Sequence, residues 1–322
     1  MKKILITGVA GMLGSHLLDE LLKRDYKVIG IDNLKIGKEE NIRHNLKDKN
    51  FTFKKSDILD IETLNKAAKD IDIIVHLAAA KKIDEKGSAL NTLRVNSEGT
   101  YNIFEIAKKK KIKVIFASTS DVYGLSNTLP LKEDGNLIVG SSTAKRWSYA
   151  VSKIYGEQVS FAYYKEHKVP MVILRYFGSF SPRSSFTWSG GHIPVFIDAI
   201  LNNKEVIIHG DGTQTRSMGY AEDSVNGTIL AMENERAVGE IFNIGNNEEM
   251  SIIDTVNLIQ EISGKQEVRK RFVPFEEIFG SYREIMRRVP DLTKSNQILG
   301  YFPRISLREA IEITIKARMK EI

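Results

Sequence analysis

The run Gly8-Val9-Ala10-Gly11-Met12-Leu13-Gly14 constrains this chain more than any other feature. It follows a short, branched apolar stretch, Lys2 to Thr7, and precedes leucines at positions 13, 17, 18, 21 and 22, the spacing of one helix face. Glycines in such a strand-to-helix turn omit the side chains that would hold backbone N–H groups and the helix N-terminus away from a diphosphate. Taken alone, the pattern also fits a purely structural turn. A second strand, Lys27 to Asp32, ends in an acid. A carboxylate there accepts hydrogen bonds from the adenosine ribose and repels a 2′-phosphate, which favours NAD over NADP. Gly8, Gly11, Met12, Leu13 and Gly14 are therefore expected at the diphosphate and Asp32 at the ribose. Asp57 and Ile58 are expected beside the adenine, and His76 to Ala80, including Leu77, Ala78 and Ala79, along the rest of the cofactor.

Further apolar runs at Ile71 to Leu77, Lys113 to Ala117 and Pro170 to Leu174 alternate with helical stretches, which predicts a doubly wound parallel sheet covered on both faces. Past about residue 175 the pattern loosens, and Glu205 to His209 and Glu240 to Ile244 read as late strands returning to the sheet. The expected organisation is a dinucleotide-binding domain over 1–176 with 206–248 returning to it. Residues 177–205 and 249–322 then form a smaller substrate lobe across a cleft.

With 42% hydrophobic residues among 322, the chain can bury a sizeable core, and no apolar run approaches the ~20 residues of a membrane span. A cytoplasmic protein with no membrane partner is expected. The absence of cysteine removes disulfides and thiolate nucleophiles, and the six histidines lack ligand spacing, so no metal is expected. The net charge of +6 permits an anionic ligand. Lys108 to Lys111 suits a helix C-terminus better than a nucleic-acid patch, and no nucleic-acid partner is expected. Phe186 and Trp188 have two readings, stacking on a base or lining a subunit surface.

Ser148-Tyr149-Ala150-Val151-Ser152-Lys153 opens a helix that puts Tyr149 and Lys153 four apart on one face. An ammonium near a phenol favours phenolate, which makes Tyr149 a general base for a substrate hydroxyl. The strand ending Ser118-Thr119-Ser120-Asp121 places Thr119 to bond that hydroxyl and Ser120 and Asp121 to serve a second proton transfer. An Asx turn or helix cap is the structural alternative for Asp121.

Together with Asp32-Asn33, Asn96, Arg175-Tyr176-Phe177, Gly210 to Arg216 and Arg288 to Asp291, these residues resemble the extended short-chain dehydrogenase/reductase family of nucleotide-sugar epimerases, dehydratases and decarboxylases. The resemblance implies a Rossmann-type fold, Thr119, Tyr149 and Lys153 as a catalytic trio, and Asn33 and Asn96 among the cofactor contacts. It also implies an NAD regenerated in each cycle, and Arg216 and Arg288 at the substrate diphosphate. Lys81, Gly178 and Arg183 complete the expected substrate contacts. The stretch from Ser118 to Gly124 with Asn136 to Gly140 and Lys145-Arg146-Trp147 looks most like the UDP-glucuronate decarboxylase branch and certain UDP-glucuronate epimerases. That branch carries Glu where this chain has Asp121, one methylene shorter. Gly178 and Ser181 replace an Asn and a Gly common in relatives, which is expected to open space beside the sugar. An acetamido group would use that space, or Arg183 would meet a sugar carboxylate.

The expectation is an NAD-dependent homodimer acting on a UDP-hexose through transient oxidation at carbon 4. The helices near 91–108 and 149–165 form the subunit contact. A lyase outcome, 4,6-dehydration or uronate decarboxylation, leads; 4-epimerisation is the alternative, and a non-catalytic NAD-binding regulator is the alternative of another class.

Overall fold

The computed structural model describes residues 2–81, 88–144, 146–279 and 284–321. In chain order its first half runs β1 (Lys3–Thr7), α1 (Met12–Lys23), β2 (Lys27–Asp32), β3 (Phe51–Lys55), α2 (Ile61–Ala67), β4 (Ile73–His76), α3 (Ala89–Lys110), β5 (Lys113–Thr119), α4 (Trp147–His167) and β6 (Met171–Tyr176). There follow β7 (Ser179–Phe180), α5 (His192–Leu201), β8 (Val206–His209), β9 (Thr215–Ser217), β10 (Gly219–Tyr220), α6 (Ala221–Glu233), β11 (Ile241–Ile244), β12 (Glu249–Ser251), α7 (Ile252–Ser263) and β13 (Lys270–Val273). Three helices close the chain: α8 (Phe275–Phe279), α9 (Thr293–Leu299) and α10 (Leu307–Met319).

Seven parallel strands form the main sheet in the order β3-β2-β1-β4-β5-β6-β11. Both faces are covered, which is why the central strands are apolar without alternation. Ile4 and Ile6 pack with Leu17, Leu21, Val225 and Ile229 on one face, whereas Leu5 packs with Leu64, Ile103 and Phe104 on the other. The order reverses between β1 and β4, and the carboxyl ends of β1, β2, β4 and β5 open onto that switch point, the place where such sheets bind ligands.

Ile241–Ile244 joins this sheet beside Met171–Tyr176. Val206–His209, also expected there, instead pairs in parallel with Lys270–Val273 and joins a separate core with Phe180, Ile193, Phe196 and Val256. Its apolar pattern specifies a strand but not a partner, and β13, long-range in sequence, supplies the register. Among the described residues no helix is long and apolar enough to cross a membrane.

Beneath the carboxyl end of β5 lies a buried ion pair. Arg175 donates to both oxygens of Glu157, Nε to Oε1 at 2.9 Å and Nη2 to Oε2 at 2.8 Å, and the Ser118 hydroxyl donates to Oε1 at 2.5 Å. Removing one member strands the other in a dry interior. Glu157→Ala is expected to cost about 3–5 kcal/mol of unfolding free energy, read from denaturant titration; an unchanged midpoint would show that the pair does not hold these strands together.

Candidate active site

Gly8 leaves β1 at φ +78° and donates its N–H to Ile31 O at 2.8 Å. A β-carbon on Gly14 would lie 2.1 Å from Gly8 O, so only glycine lets α1 start this close to the turn. The N-cap, Gly11, offers no side-chain hydrogen bond, and the first turn of α1 holds no acid. Its N–H groups therefore face the crevice uncapped, as an anion-binding turn requires. Asp32 is buried at the tip of β2, where it accepts from Ala10 N at 3.0 Å and Leu34 N at 2.8 Å. Burial pushes its pKa up, a cost that further donors such as ribose hydroxyls would relieve. This cradle fits a dinucleotide without a 2′-phosphate.

The remaining expected cofactor residues surround it by differing means. Asn33 donates to Asp57 at 2.8 Å, fixing both. Ile58 turns inward, packing so tightly on α3 that a β-carbon at Gly99 would lie 2.3 Å from its Cδ1. Leu77 N donates to Thr7 O and Ala78 N to the Thr7 hydroxyl, which holds the segment running through Ala79 against β1. Asn96 brackets Ala80, accepting from its N–H at 2.7 Å and donating to its carbonyl at 2.9 Å. Its amide also reaches Ser152 at 2.9 Å and so connects that loop to α4. His76, with its ring nitrogens on the Thr7 and Thr100 hydroxyls, is pushed down to about 3 by burial and by Lys153, and is neutral.

Tyr149 and Lys153 share a face of α4 as the spacing predicts. Lys153 is 2% exposed, donates to Ala117 O at 2.7 Å, and has its Nζ 6.0 Å from the centroid of the Tyr149 ring. Burial lowers its pKa to about 7, against the opposing charge of Glu157. Tyr149 moves the other way from the expectation, because burial first and the charge of Asp121 second raise its pKa. A lysine whose own charge is suppressed by burial does not overcome that cost in the protein alone.

Thr119, Ser120 and Asp121 lie at the end of β5. Asp121 N donates to the Thr119 hydroxyl at 3.2 Å, so the cap of this turn is the Thr119 side chain and not the Asp121 carboxylate expected as the structural alternative. The Asp121 carboxylate instead faces Arg288, whose Nη1 lies 2.6 Å from Oδ1 and 3.5 Å from the Ser120 hydroxyl. Burial alone would raise the pKa of Asp121, but Arg288, then Lys81 and Arg146, outweigh it and hold the carboxyl well below the usual carboxylate range. Lys81 Nζ sits 5.4 Å from the Tyr149 ring. The chain thus brings Lys81, Thr119, Ser120, Asp121, Tyr149, Lys153 and Arg288 to one place.

Three expected substrate residues are held elsewhere. Arg216 donates to Glu284 at 2.6 Å and to Ile285 O at 2.9 Å. Arg183 donates to Asp19 on α1 at 2.6 Å rather than pointing free for a sugar carboxylate. The room expected beside Gly178 is occupied, since a β-carbon there would lie 2.4 Å from Met218 Sδ. Trp188 stacks on His209 with centroids 4.2 Å apart, and Phe186 lies under Arg318. Lys145 lies outside the described residues. Sequence reasoning missed Glu157 and the bonds that join Ser152 to Asn96 and His76 to Thr7 and Thr100; Ser152, Glu157 and Thr100 lie on helices, where the only signal is a polar residue on a buried face.

The model of the GDP-mannose 4,6 dehydratase family matches residues 5–314. The chain belongs to this family. It is 37% identical, over 98% of its length and 97% of the relative's, to a UDP-N-acetyl-alpha-D-glucosaminuronate decarboxylase of Bacillus cytotoxicus. Among solved structures it is similar to the UDP-glucuronic acid 4-epimerase from Bacillus cereus in complex with UDP-glucuronic acid and NAD, with TM-score 0.90, 34% identity and coverage of 99% of this chain and 100% of the other. A dTDP-glucose 4,6-dehydratase from Bacillus anthracis in complex with NAD gives TM-score 0.87 at 25% identity, covering 99% of this chain and 97% of the other. Members of the family thus span decarboxylation, epimerisation and dehydration, the three outcomes left open by the residues themselves.

The lowered pKa of Lys153 has a sign that stability measurements can read. A buried base whose folded pKa falls from 10.5 to about 7 binds fewer protons folded than unfolded between those values. Its burial cost is therefore full below pH 7 and fades as pH rises toward 10.5. Lys153→Met is expected to be more stable than the parent at pH 6 without cofactor, with the gap closing by pH 10; a constant gap would show that Lys153 is charged in the fold throughout.

Proposed function

We propose that this protein is an NAD-dependent UDP-uronate decarboxylase that oxidises carbon 4 transiently. The observation that carries the reading is the ion pair of Asp121 with Arg288 beside Tyr149. Dehydration needs an acid that protonates the departing hydroxyl together with a base at carbon 5. Asp121 is a single carboxylate, held ionised by three cations, and is poorly suited to donate a proton. Decarboxylation needs no leaving-group acid. A ketone at carbon 4 makes the carbon 5 carboxylate a β-keto acid, so the bond to carbon 6 breaks with its electron pair delocalised onto the ketone oxygen. Carbon dioxide leaves and carbon 5 takes up one proton.

Gly8, Gly11, Met12, Leu13 and Gly14 would hold the NAD diphosphate; Asp32 and Asn33 the ribose; Asp57 and Ile58 the adenine side; Leu77, Ala78, Ala79 and Asn96 the inner stretch; and Tyr149 and Lys153 the reacting end. Bound there, NAD supplies the hydride acceptor and the returning hydride at carbon 4. Tyr149 takes the 4-hydroxyl proton and gives it back, and Thr119 orients that hydroxyl. Tyr149 and Lys153 would hold the cationic end of NAD, whose charge would favour phenolate at Tyr149, the help that Lys153 alone does not supply. Arg216 would exchange its carboxylate partner for the substrate diphosphate, Arg288 would add charge there while it stays paired with Asp121, and Lys81 supplies positive charge near the sugar. The 37% identical decarboxylase supports the same outcome. Epimerisation is the second reading, favoured by the likeness to the UDP-glucuronic acid 4-epimerase.

Incubation with UDP-glucuronate and with UDP-N-acetylglucosaminuronate, with and without NAD, followed by mass spectrometry, is expected to show loss of carbon dioxide. Tyr149→Phe should lower turnover by about 10²–10⁴-fold. Loss of water, an unchanged mass with a new chromatographic peak, or no product would point instead to dehydration, epimerisation or the regulatory alternative.

A cytoplasmic homodimer is part of the same reading. Leu90 and Tyr101 on α3 and Val151 and Tyr155 on α4 are large, apolar and exposed, with Leu90 77% accessible. Such a patch along two packed helices suits a second copy of the chain. Sedimentation should give a dimer for the parent and a monomer for Tyr101→Glu/Tyr155→Glu; a monomeric parent would refute this contact.

A further inference from the structure

Residues 12, 16 and 19 lie on one face of α1, and each is bonded to the loop that follows β7. The Ser184 hydroxyl donates to Met12 Sδ at 2.9 Å, His16 Nε2 lies 3.0 Å from the Ser181 hydroxyl, and Arg183 Nη2 donates to Asp19 Oδ2 at 2.6 Å. The loop is tied within itself, because Ser181 N donates to Ser184 Oγ at 3.0 Å and Arg183 N to Ser181 Oγ at 3.2 Å. Asp19 is in turn fixed by Asn45 at 2.5 Å and His44 at 2.8 Å, so it is a rigid anchor. The other terminal nitrogen of Arg183, Nη1, is shielded from water and bonded to no protein atom. A buried unsatisfied donor is costly unless something else accepts from it.

We infer that Arg183 and Asp19 form a clasp that keeps the cofactor resident, with Arg183 a positioning residue for the diphosphate turn rather than a sugar contact. The inference rests on the reading that NAD is the cofactor. The three contacts join the first two turns of α1, whose N-terminus begins the dinucleotide cradle, to the loop that follows β7. A reaction that returns its hydride in each cycle requires a cofactor that stays between turnovers.

The test is the rate at which labelled NAD bound to the whole protein exchanges with excess unlabelled NAD. Asp19→Asn and Arg183→Gln are each expected to speed exchange by about tenfold, the loss of one charge-assisted pair. The double variant should exchange no faster than the faster single, since the two groups act as one unit. Where Arg183→Gln does not fold, Arg183→Lys, which keeps the charge but loses the fork, is read in its place and should also exchange faster. Exchange at the parent rate in both singles overturns the clasp. So does a higher KM for the sugar nucleotide in the Arg183 variant alone, which would return that residue to the substrate. A parent protein that binds no NAD overturns the cofactor reading instead.

Discussion

Gly14 passes the carbonyl of Gly8 with no room for a methyl group, and from that contact follow the start of α1, the direction its first N–H groups face and the depth of the crevice above β1. Because β1 is central and the strand order reverses beside it, the crevice opens where β2, β4 and β5 also end. Asp32, the His76 hydroxyl chain and the Thr119 to Asp121 turn reach one region because each is the last residue, or nearly so, of a parallel strand. A side chain added at Gly14 would therefore disturb more than its own turn.

Two arginine–carboxylate pairs flank β5 and do different work. Glu157 and Arg175 are sealed from water, bidentate, and joined by Ser118, and they hold the base of the site still. Asp121 and Arg288 retain some access to solvent. A pair in that setting can meet a ligand without being broken, whereas the sealed pair meets none, and breaking it would leave a bare charge in a dry interior. Similar chemistry at different depths thus separates scaffold from site.

Local spacing made much of this legible. The glycine turn and the Tyr149/Lys153 pair are fixed by intervals within one turn or one helix, Asp32 by its place at the end of the next strand, and the parallel α/β architecture follows from alternating apolar runs. What stayed hidden depends on distant segments meeting. Val206–His209 was readable as a strand, but its partner lies beyond α7. Met218 fills the space expected beside Gly178, and Arg183 finds Asp19 across about half of the chain. The upward shift of Tyr149 was hidden for another reason, since spacing reports proximity to an ammonium and not how much water both groups have lost.

The helix α4 carries Lys153 on its buried side and Val151 and Tyr155 on its exposed side. A helix of this length behaves as a stiff rod, so a displacement imposed on one side is delivered to the other with little attenuation. Asn96, reaching from α3 to both Ser152 and the loop after β4, braces that rod against the edge of the sheet. Whatever packs on Val151 and Tyr155 therefore bears on the same braced helix that carries Lys153, with the amide of Asn96 as its fulcrum.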